Sequence, residues 1–396
     1  MRRWFYLWLA FFGFWWASGA VQAQTSTFAP ARQVELLQEA RQRFLSLAKS
    51  NQWQPVDKHL CLVACEKAPE VPGLKVLLQL TGDLPAHVSE KDSLFDDTLI
   101  EAVRRFQRRH GLIPDGVVGP QTLEALNVSP AQRLAQIELN LKRWQLALAQ
   151  PAQRMVFVNL PDFSLHLLNE TGQPVWRTNV IIGQTNKDFQ TIPMESQITY
   201  LVLNPTWTVP QSILRREIIP LLKHDPNYLT RNRMLVYRQD GAQRVQVSPK
   251  ELFSNPAGVA KGIYWVVQQP GPTNSLGKIK FMFPNLHDIY LHDTPNRTLF
   301  AHPVRAYSHG CVRVQNPELL GSYLLNPDWA ETGKSSPLLK DNSLNKKITL
   351  PAPVAVTLAY YTAWVDEKGD LQFRNDLYGI DKQERRRLDI SLDTLH

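Results

Sequence analysis

Tyr290-Leu291-His292-Asp293-Thr294-Pro295, followed by Arg305-Ala306-Tyr307-Ser308-His309-Gly310-Cys311-Val312-Arg313-Val314, is the stretch on which the reading of this chain turns. Asp288 to His292 is patterned as a strand, and a second strand precedes or includes Cys311. A cysteine nucleophile needs a base for its proton, a group to orient that base, and donors for the oxyanion that follows attack. His292 lies 19 residues before Cys311 and His309 lies two before it, so both are candidates for the base. A free thiol titrates near ~8.5, and a neighbouring imidazole is expected to lower that value. Gly310 carries no side chain, which leaves the N–H groups of Gly310 and Cys311 as candidate oxyanion donors. Residue chemistry alone keeps two other readings open. Cys311, His292 and His309 with His302 are a possible metal-ligand set, and an inert cysteine beside two structural histidines is the other.

Around this stretch lies a chain of 396 residues, enough for two or three domains with cores of their own. Its N-terminus is patterned as an export signal over residues 1–23, with Arg2 and Arg3, an apolar run from Trp4 to Trp16, and Val21-Gln22-Ala23 at the cleavage position. The uncharged run from Trp4 to Ala23 is also long enough for a retained membrane anchor. Either reading places the remainder outside the cytoplasm, and the general secretory route is preferred over a twin-arginine route. Without Arg2 and Arg3 the chain has 42 basic and 36 acidic side chains, a net +6 with no long basic block. That balance argues against nucleic acid as a partner and suits an acidic polymer such as a cell wall. Of three cysteines, Cys61 and Cys65 either pair in an oxidising compartment or stay separate, and Cys311 is the odd one.

Periodicity divides the chain further. Pro30 to Lys49 reads as an amphipathic helix, Gly73 to Gly82 as a short one, and Leu134, Ile137, Leu141, Trp144 and Leu148 follow a 3-4-3-4 spacing. Pro151 ends that pattern, and short β-like runs begin at Met155, Leu165 and Val175, placing a domain boundary near Gln150. Trp207 to Gly277 is richer in proline and polar residues than its flanks and reads as an insertion capping a cleft.

Two resemblances organise these segments. Ala102 to Leu112, with Asp115-Gly116-Val117-Val118-Gly119 and Thr122-Leu123, resembles the three-helix peptidoglycan-binding module of wall enzymes. The paired stretches quoted first closely resemble the signature of the L,D-transpeptidases of the YkuD type. Asn204-Pro205-Thr206-Trp207, Gly271 to Phe281 and Thr362-Ala363-Trp364-Val365-Asp366 extend the likeness to that family's large Gram-negative subgroup. The segment around Cys61 and Cys65 matches nothing in it.

The fold this implies is a multidomain α+β protein, in which a helical scaffold and a peptidoglycan-binding module precede a mainly β catalytic domain with a capping insertion. Its expected divisions are scaffold 24–93, module 94–128, scaffold helix 129–150, catalytic domain 151–350 with its cap at 207–277, and an extension at 351–396. By resemblance Cys311 is the nucleophile, His292 the base oriented through the Asp293 carbonyl, His309 a supporting group and Gly310 part of the oxyanion region. Arg313 either holds a substrate carboxylate or fixes the loop, and Ser308 and Arg305 are expected substrate contacts. The implied reaction is a 3→3 cross-link between meso-diaminopimelate residues through a thioacyl enzyme, with loss of D-alanine and no metal or organic cofactor. Water or a lipoprotein lysine as acceptor would make the chain a carboxypeptidase or a wall-anchoring enzyme. A cysteine endopeptidase of the wall and a non-catalytic wall scaffold are the rival readings. Peptidoglycan stem peptides are the expected substrates, carbapenems the expected inhibitors, the periplasm the expected location, and other wall-synthesis enzymes possible partners.

Overall fold

A computed structural model describes residues 26–57, 62, 67–329 and 336–387. The export segment at 1–23, Cys61 and Cys65 lie outside the described residues. Helix α1 (Pro30–Lys49) packs along α5 (Pro130–Ala147), and both begin with proline, whose missing N–H costs nothing in a first turn. Ser129 opens α5 with a capping box, its hydroxyl accepting from the Gln132 N–H while the Gln132 side chain accepts from the Ser129 N–H. The apolar stripes of the two helices, including Leu37, Phe44, Ile137 and Trp144, bury against Phe157 and Tyr361. Trp144 stacks on Tyr361 with centroids 4.1 Å apart.

Between these helices in sequence come α2 (Val71–Thr81), α3 (Asp97–Arg109) and α4 (Pro120–Leu126), which enclose one core. Val71, Leu74 and Leu78 of α2 meet Leu99, Val103 and Phe106 of α3 and Leu123 and Leu126 of α4 there. The module therefore begins at α2, earlier than the expected Leu94, because the α2 stripe covers the same apolar face. Asp96 caps α3 by accepting from the Leu99 N–H at 2.8 Å. Buried Gln107 ties α3 to the following turn, donating to Asp115, the Val117 carbonyl and Thr122 and accepting from the Gly116 N–H. Gly116 sits at φ +81°, a conformation that favours glycine.

The domain that follows α5 is built on one sheet whose first strands are β1 (Met155–Asn159), β2 (Ser164–Leu168), β3 (Pro174–Gly183) and β4 (Met194–Leu203). The insertion follows as a small domain of its own. Its strands β5 (Trp207–Thr208), β6 (Met234–Asp240), β7 (Gln243–Val247) and β8 (Tyr264–Gln268) pair in the order β5-β8-β6-β7. A helical run, Gln211–Ile213, Leu214–Ile218 and Ile219–His224, covers that sheet with its middle piece wound as a π-turn. Val209, Leu214, Leu222, Val236, Tyr264 and Val266 form the insertion's separate core.

The large sheet resumes with β9 (Ile279–Met282), β10 (Leu291–His292), β11 (Ala306–Ser308), β12 (Val312–Val314) and β13 (Lys346–Ala359). The strand expected over Asp288 to His292 shrinks to two residues, because Asp288 adopts φ +53°. Strand order is β11-β3-β12-β10-β9-β4-β13-β1-β2, and β3 also pairs with β2, so the ladder closes on itself. Val156, Val158, Leu165 and Leu167 point into the barrel core, whereas Phe157 and Leu168 alternate outward onto the helical scaffold. Both faces of β1 and β2 are thus buried.

Residue 350 is not the end of this domain. Strand β13 runs parallel to β1 and antiparallel to β4 across that point, with its register broken between Thr349 and Val354. Pro351 and Pro353 fall inside the break, where their missing N–H groups leave no ladder bond unmade. What was expected as a terminal extension then forms a hairpin, β14 (Ala363–Val365) with β15 (Leu371–Phe373). Gln33 of α1 bonds both backbone groups of Val365, Asn140 of α5 bonds Thr362, and Arg109 of α3 donates to the Leu371 carbonyl. Scaffold, module and barrel are clamped together by this hairpin. Among the described residues, no helix is long and apolar enough to cross a membrane.

Candidate active site

Cys311 stands in the turn between β11 and β12, half-buried. Gly310, just before it, has φ +112°, which a side chain would strain. The buried Ser308 hydroxyl donates to the Cys311 carbonyl at 2.5 Å and accepts from the Gly310 N–H at 3.2 Å. From below, the Thr191 hydroxyl donates to the Gly310 carbonyl at 2.7 Å and accepts from the Gly183 N–H at 2.9 Å. Tyr378, late in the chain, donates to the Gly183 carbonyl at 2.6 Å. The turn is therefore braced from within the sheet and from the C-terminal segment.

Sheet register sets His292 on the strand beside the one that follows Cys311. β10 pairs in parallel with β12, with Leu291 opposite Val312 and His292 opposite Arg313. The His292 Nδ1–H donates to the Asp293 carbonyl at 2.5 Å, which leaves Nε2 as the nitrogen able to take a proton. The Asp293 carboxylate is occupied elsewhere, accepting from the Lys278 and Thr294 N–H groups and from Arg297. It holds the strand end and does no proton work.

The electrostatics differ from the sequence-based expectation. Burial pushes the Cys311 thiol up to about 11, although the Tyr290 N–H and phenol and the charge of Arg313 favour the thiolate; the thiol itself donates to the Asp288 carbonyl at 3.6 Å. Burial, reinforced by the positive charges of Arg313 and Lys280 and offset by the Asp293 carbonyl, pushes His292 down to about 3. Both shifts favour the uncharged forms, thiol and imidazole, at neutral pH.

The remaining expected site residues separate into distinct roles. The Gly310 N–H is taken by Ser308, so it is not an oxyanion donor; the Cys311 N–H has no partner among the described residues and is the donor left for that task. Ser308 is a bracing residue, not a substrate contact, because both its bonds lie inside the turn. Arg305 is likewise structural: it donates to the carbonyls of Val180, His302 and Phe163 and to Asn179, fastening β11 to β3. The Arg313 side chain makes no hydrogen bond among the described residues, and its Nε is buried without a partner. His309 is bonded through Nε2 to Glu217 of the insertion and meets the Phe189 ring edge-on at 4.4 Å. The histidines do not converge on one point, since His302 is bonded to the Tyr307 hydroxyl at 2.7 Å. Among the described residues, no group of three His, Cys, Asp or Glu side chains is arranged to hold a metal ion.

Tyr290, Lys280, Thr191, Tyr378 and Glu217 were not singled out from sequence. Tyr290 had a signal, since it precedes His292 by two residues in an extended run and so shares its face. Lys280 sits opposite His292 across β9 and β10, a relation visible only once register is known. Beside the thiol, Thr199, Phe283, Asp288 and Tyr290 help line a hollow of about 260 Å³.

Residues 153–325 match the family described as "L,D-transpeptidase catalytic domain" (YkuD), and residues 68–126 match "Putative peptidoglycan binding domain". A protein of Haemophilus influenzae described as "Putative L,D-transpeptidase" is 33% identical over 246 residues, covering 60% of this chain and 48% of its own length. The chain thus spans about half the length of that curated relative. Among solved structures, an L,D-transpeptidase of Xylanimonas cellulosilytica (its residues 123-326) shows 16% identity, covering 77% of this chain and 100% of that one, at a TM-score of 0.23. One from Stackebrandtia nassauensis shows 17% identity, covering 75% and 95%, at a TM-score of 0.27. At such scores the backbones do not superpose as wholes.

Proposed function

Starting from an L,D-transpeptidase catalytic domain joined to a peptidoglycan-binding domain, we propose that the chain forms 3→3 cross-links between meso-diaminopimelate residues of peptidoglycan through a thioacyl enzyme on Cys311. The observation that carries this reading is the His292 imidazole, fixed at Nδ1 by the Asp293 carbonyl on the strand paired with the one that follows Cys311.

In the first half-reaction the Cys311 Sγ attacks the carbonyl carbon of the third residue of a tetrapeptide stem while His292 Nε2 takes the thiol proton. The tetrahedral oxyanion faces the Cys311 N–H. Collapse breaks the amide bond to D-alanine, whose nitrogen receives the proton from His292, and a thioester remains. In the second half-reaction the side-chain amine of another diaminopimelate attacks the thioester. His292 removes a proton from that amine and returns it to the departing sulfur. Arg313, near the sulfur and lacking a protein partner, suits the free carboxylate of diaminopimelate. This activity belongs on the wall side of the membrane, in keeping with the export pattern of residues 1–23.

The test is mass spectrometry of muropeptides made by the purified protein from tetrapeptide-bearing fragments. A dimer joined between two diaminopimelate residues, with one D-alanine released per link and none from Cys311→Ala, is the expected result. Hydrolysed stems alone would replace transpeptidation with carboxypeptidase activity.

A further inference from the structure

A cavity of about 900 Å³ lies apart from Cys311, which is not among its lining residues. It lies where three parts of the chain meet: the end of α3 and the turn after it, the barrel at Asp162, Arg177 and the Pro303 to Arg305 segment, and the C-terminal hairpin at Asp366 to Asn375. Eight arginine and lysine side chains line it against four carboxylates. Most of those carboxylates are already committed. Asp162 is shared by Arg374 and Arg177, Asp370 is paired with Arg105, and Asp366 accepts from Gln372 and from backbone N–H groups. Adding Asp83, which pairs with Arg109 from behind the wall, still leaves an excess of cations.

Arg133 is the telling member. It is 6% exposed, donates only to the Gln136 side chain and the Ala125 carbonyl, and lies 4.5 Å over the Phe373 ring with no carboxylate against it. Burial and the nearby Arg109 charge lower it to about 9, the mark of a cation lacking an anion. Arg108 and Lys368 reach the mouth exposed and make no ion pair among the described residues. Ile113 and Val304, 53% and 49% exposed, add apolar ground beside them. Carboxylates alternating with methyl groups would satisfy this surface. The lining segment Pro303 to Arg305 runs directly into β11, and Cys311 stands three residues after the end of that strand.

We propose that this groove is a second wall-binding site, composed of module, barrel and hairpin together, which grips stem peptides through their free carboxylates and holds the polymer while another stem enters the active site. The proposal rests on the peptidoglycan reading of the catalytic domain.

It is tested by co-sedimentation of the full chain, carrying Cys311→Ala to prevent turnover, with purified diaminopimelate-type sacculi. Adding Arg108→Glu and Lys368→Glu, both at exposed positions, should weaken binding by about tenfold or more. Sacculi whose carboxylates have been amidated with carbodiimide and ammonia should lose binding to a similar degree, without any change to the protein. Undiminished binding in either arm overturns the proposal, as does a parent chain that does not bind sacculi. The tetrapeptide reaction of the unsubstituted protein reports separately on the catalytic reading. Sacculus binding without acyl transfer removes that reading and leaves the groove standing, whereas acyl transfer with unaltered sacculus binding in both arms removes the groove alone.

Discussion

His309, two residues from Cys311, is bonded through Nε2 to the Glu217 carboxylate of the insertion. Glu217 belongs to the π-wound piece of the insertion's helical run, a winding often found at functional positions. Its neighbour Arg216 pairs with Asp188 at 2.8 Å and lies over Phe189, the ring that also meets His309. The cap is thus fastened to the catalytic turn by polar contacts, while its own apolar core stays intact behind them. Contacts of this exposure are individually weak, so the arrangement is a latch that opens at low cost.

Glu217→Ala is expected to release that latch without unfolding the cap. Amide hydrogen exchange should speed up several-fold across Gln211 to His224, with β6 and β8 unchanged. Equal exchange in the variant and the parent would mean that the bond does not hold the cap.

The resting thiol is expected to be neutral. Alkylation of Cys311 by iodoacetamide should remain slow at pH 7 and rise as pH approaches about 11, because burial raises the thiol and thiolate becomes the major form only above that value. With His292 pushed down to about 3, the imidazole is already neutral at pH 7 and supplies no cation to acidify the sulfur. His292→Asn should leave this alkylation profile in place while reducing acyl transfer by about 10²–10⁴-fold. A rate that is already maximal at pH 7 would instead indicate a thiolate–imidazolium pair. The same depression has a stability consequence. His292 favours the fold above its unfolded pKa, near ~6.5, and that contribution is lost as pH falls toward about 3.

The catalytic turn and the helices were legible because their signals are local. A glycine before a cysteine and a 3-4-3-4 apolar spacing survive in any reading window. Roles that depend on distant partners were not. Arg305 and Ser308 carry the polar chemistry of substrate contacts, and only their bonds to Val180, Phe163, Gly310 and Cys311 show them bracing the turn. The division expected at 350 falls within a single strand that holds Pro351 and Pro353. β13 continues through them because both fall in a register break. The Glu217 contact had no sequence signal, since a lone acid in a charged insertion is ordinarily solvated.

The backbone N–H and the phenol of Tyr290 both favour the thiolate form of Cys311. Tyr290→Phe removes only the second. The thiolate should then be less favoured, moving the alkylation profile to higher pH, and the acylation rate should fall with little change in stability. An unchanged profile would show that the phenol does not act on the sulfur. The buried ring itself is retained, so lost packing would not account for a shift.

Gly183 offers the sharpest test of how the turn is supported. A Cβ there would lie 1.9 Å from the Phe189 carbonyl oxygen and 2.7 Å from the Thr191 nitrogen, both backbone atoms that a rotamer change cannot move. Gly183→Ala should therefore push the Phe189 to Thr191 segment away and break the Thr191 bridge to Gly310. A loss of ~2 kcal/mol or more is expected, read as a lower denaturation midpoint. Acyl transfer by the fraction that stays folded should also fall, because the nucleophile turn loses its support. Gly73→Ala is the control, lying within α2 with nothing within 4 Å of the new methyl group. It should be neutral or stabilise the fold by up to ~1 kcal/mol through helix propensity. If both substitutions prove equally harmless, the close approach beneath the turn is not holding Cys311 in place.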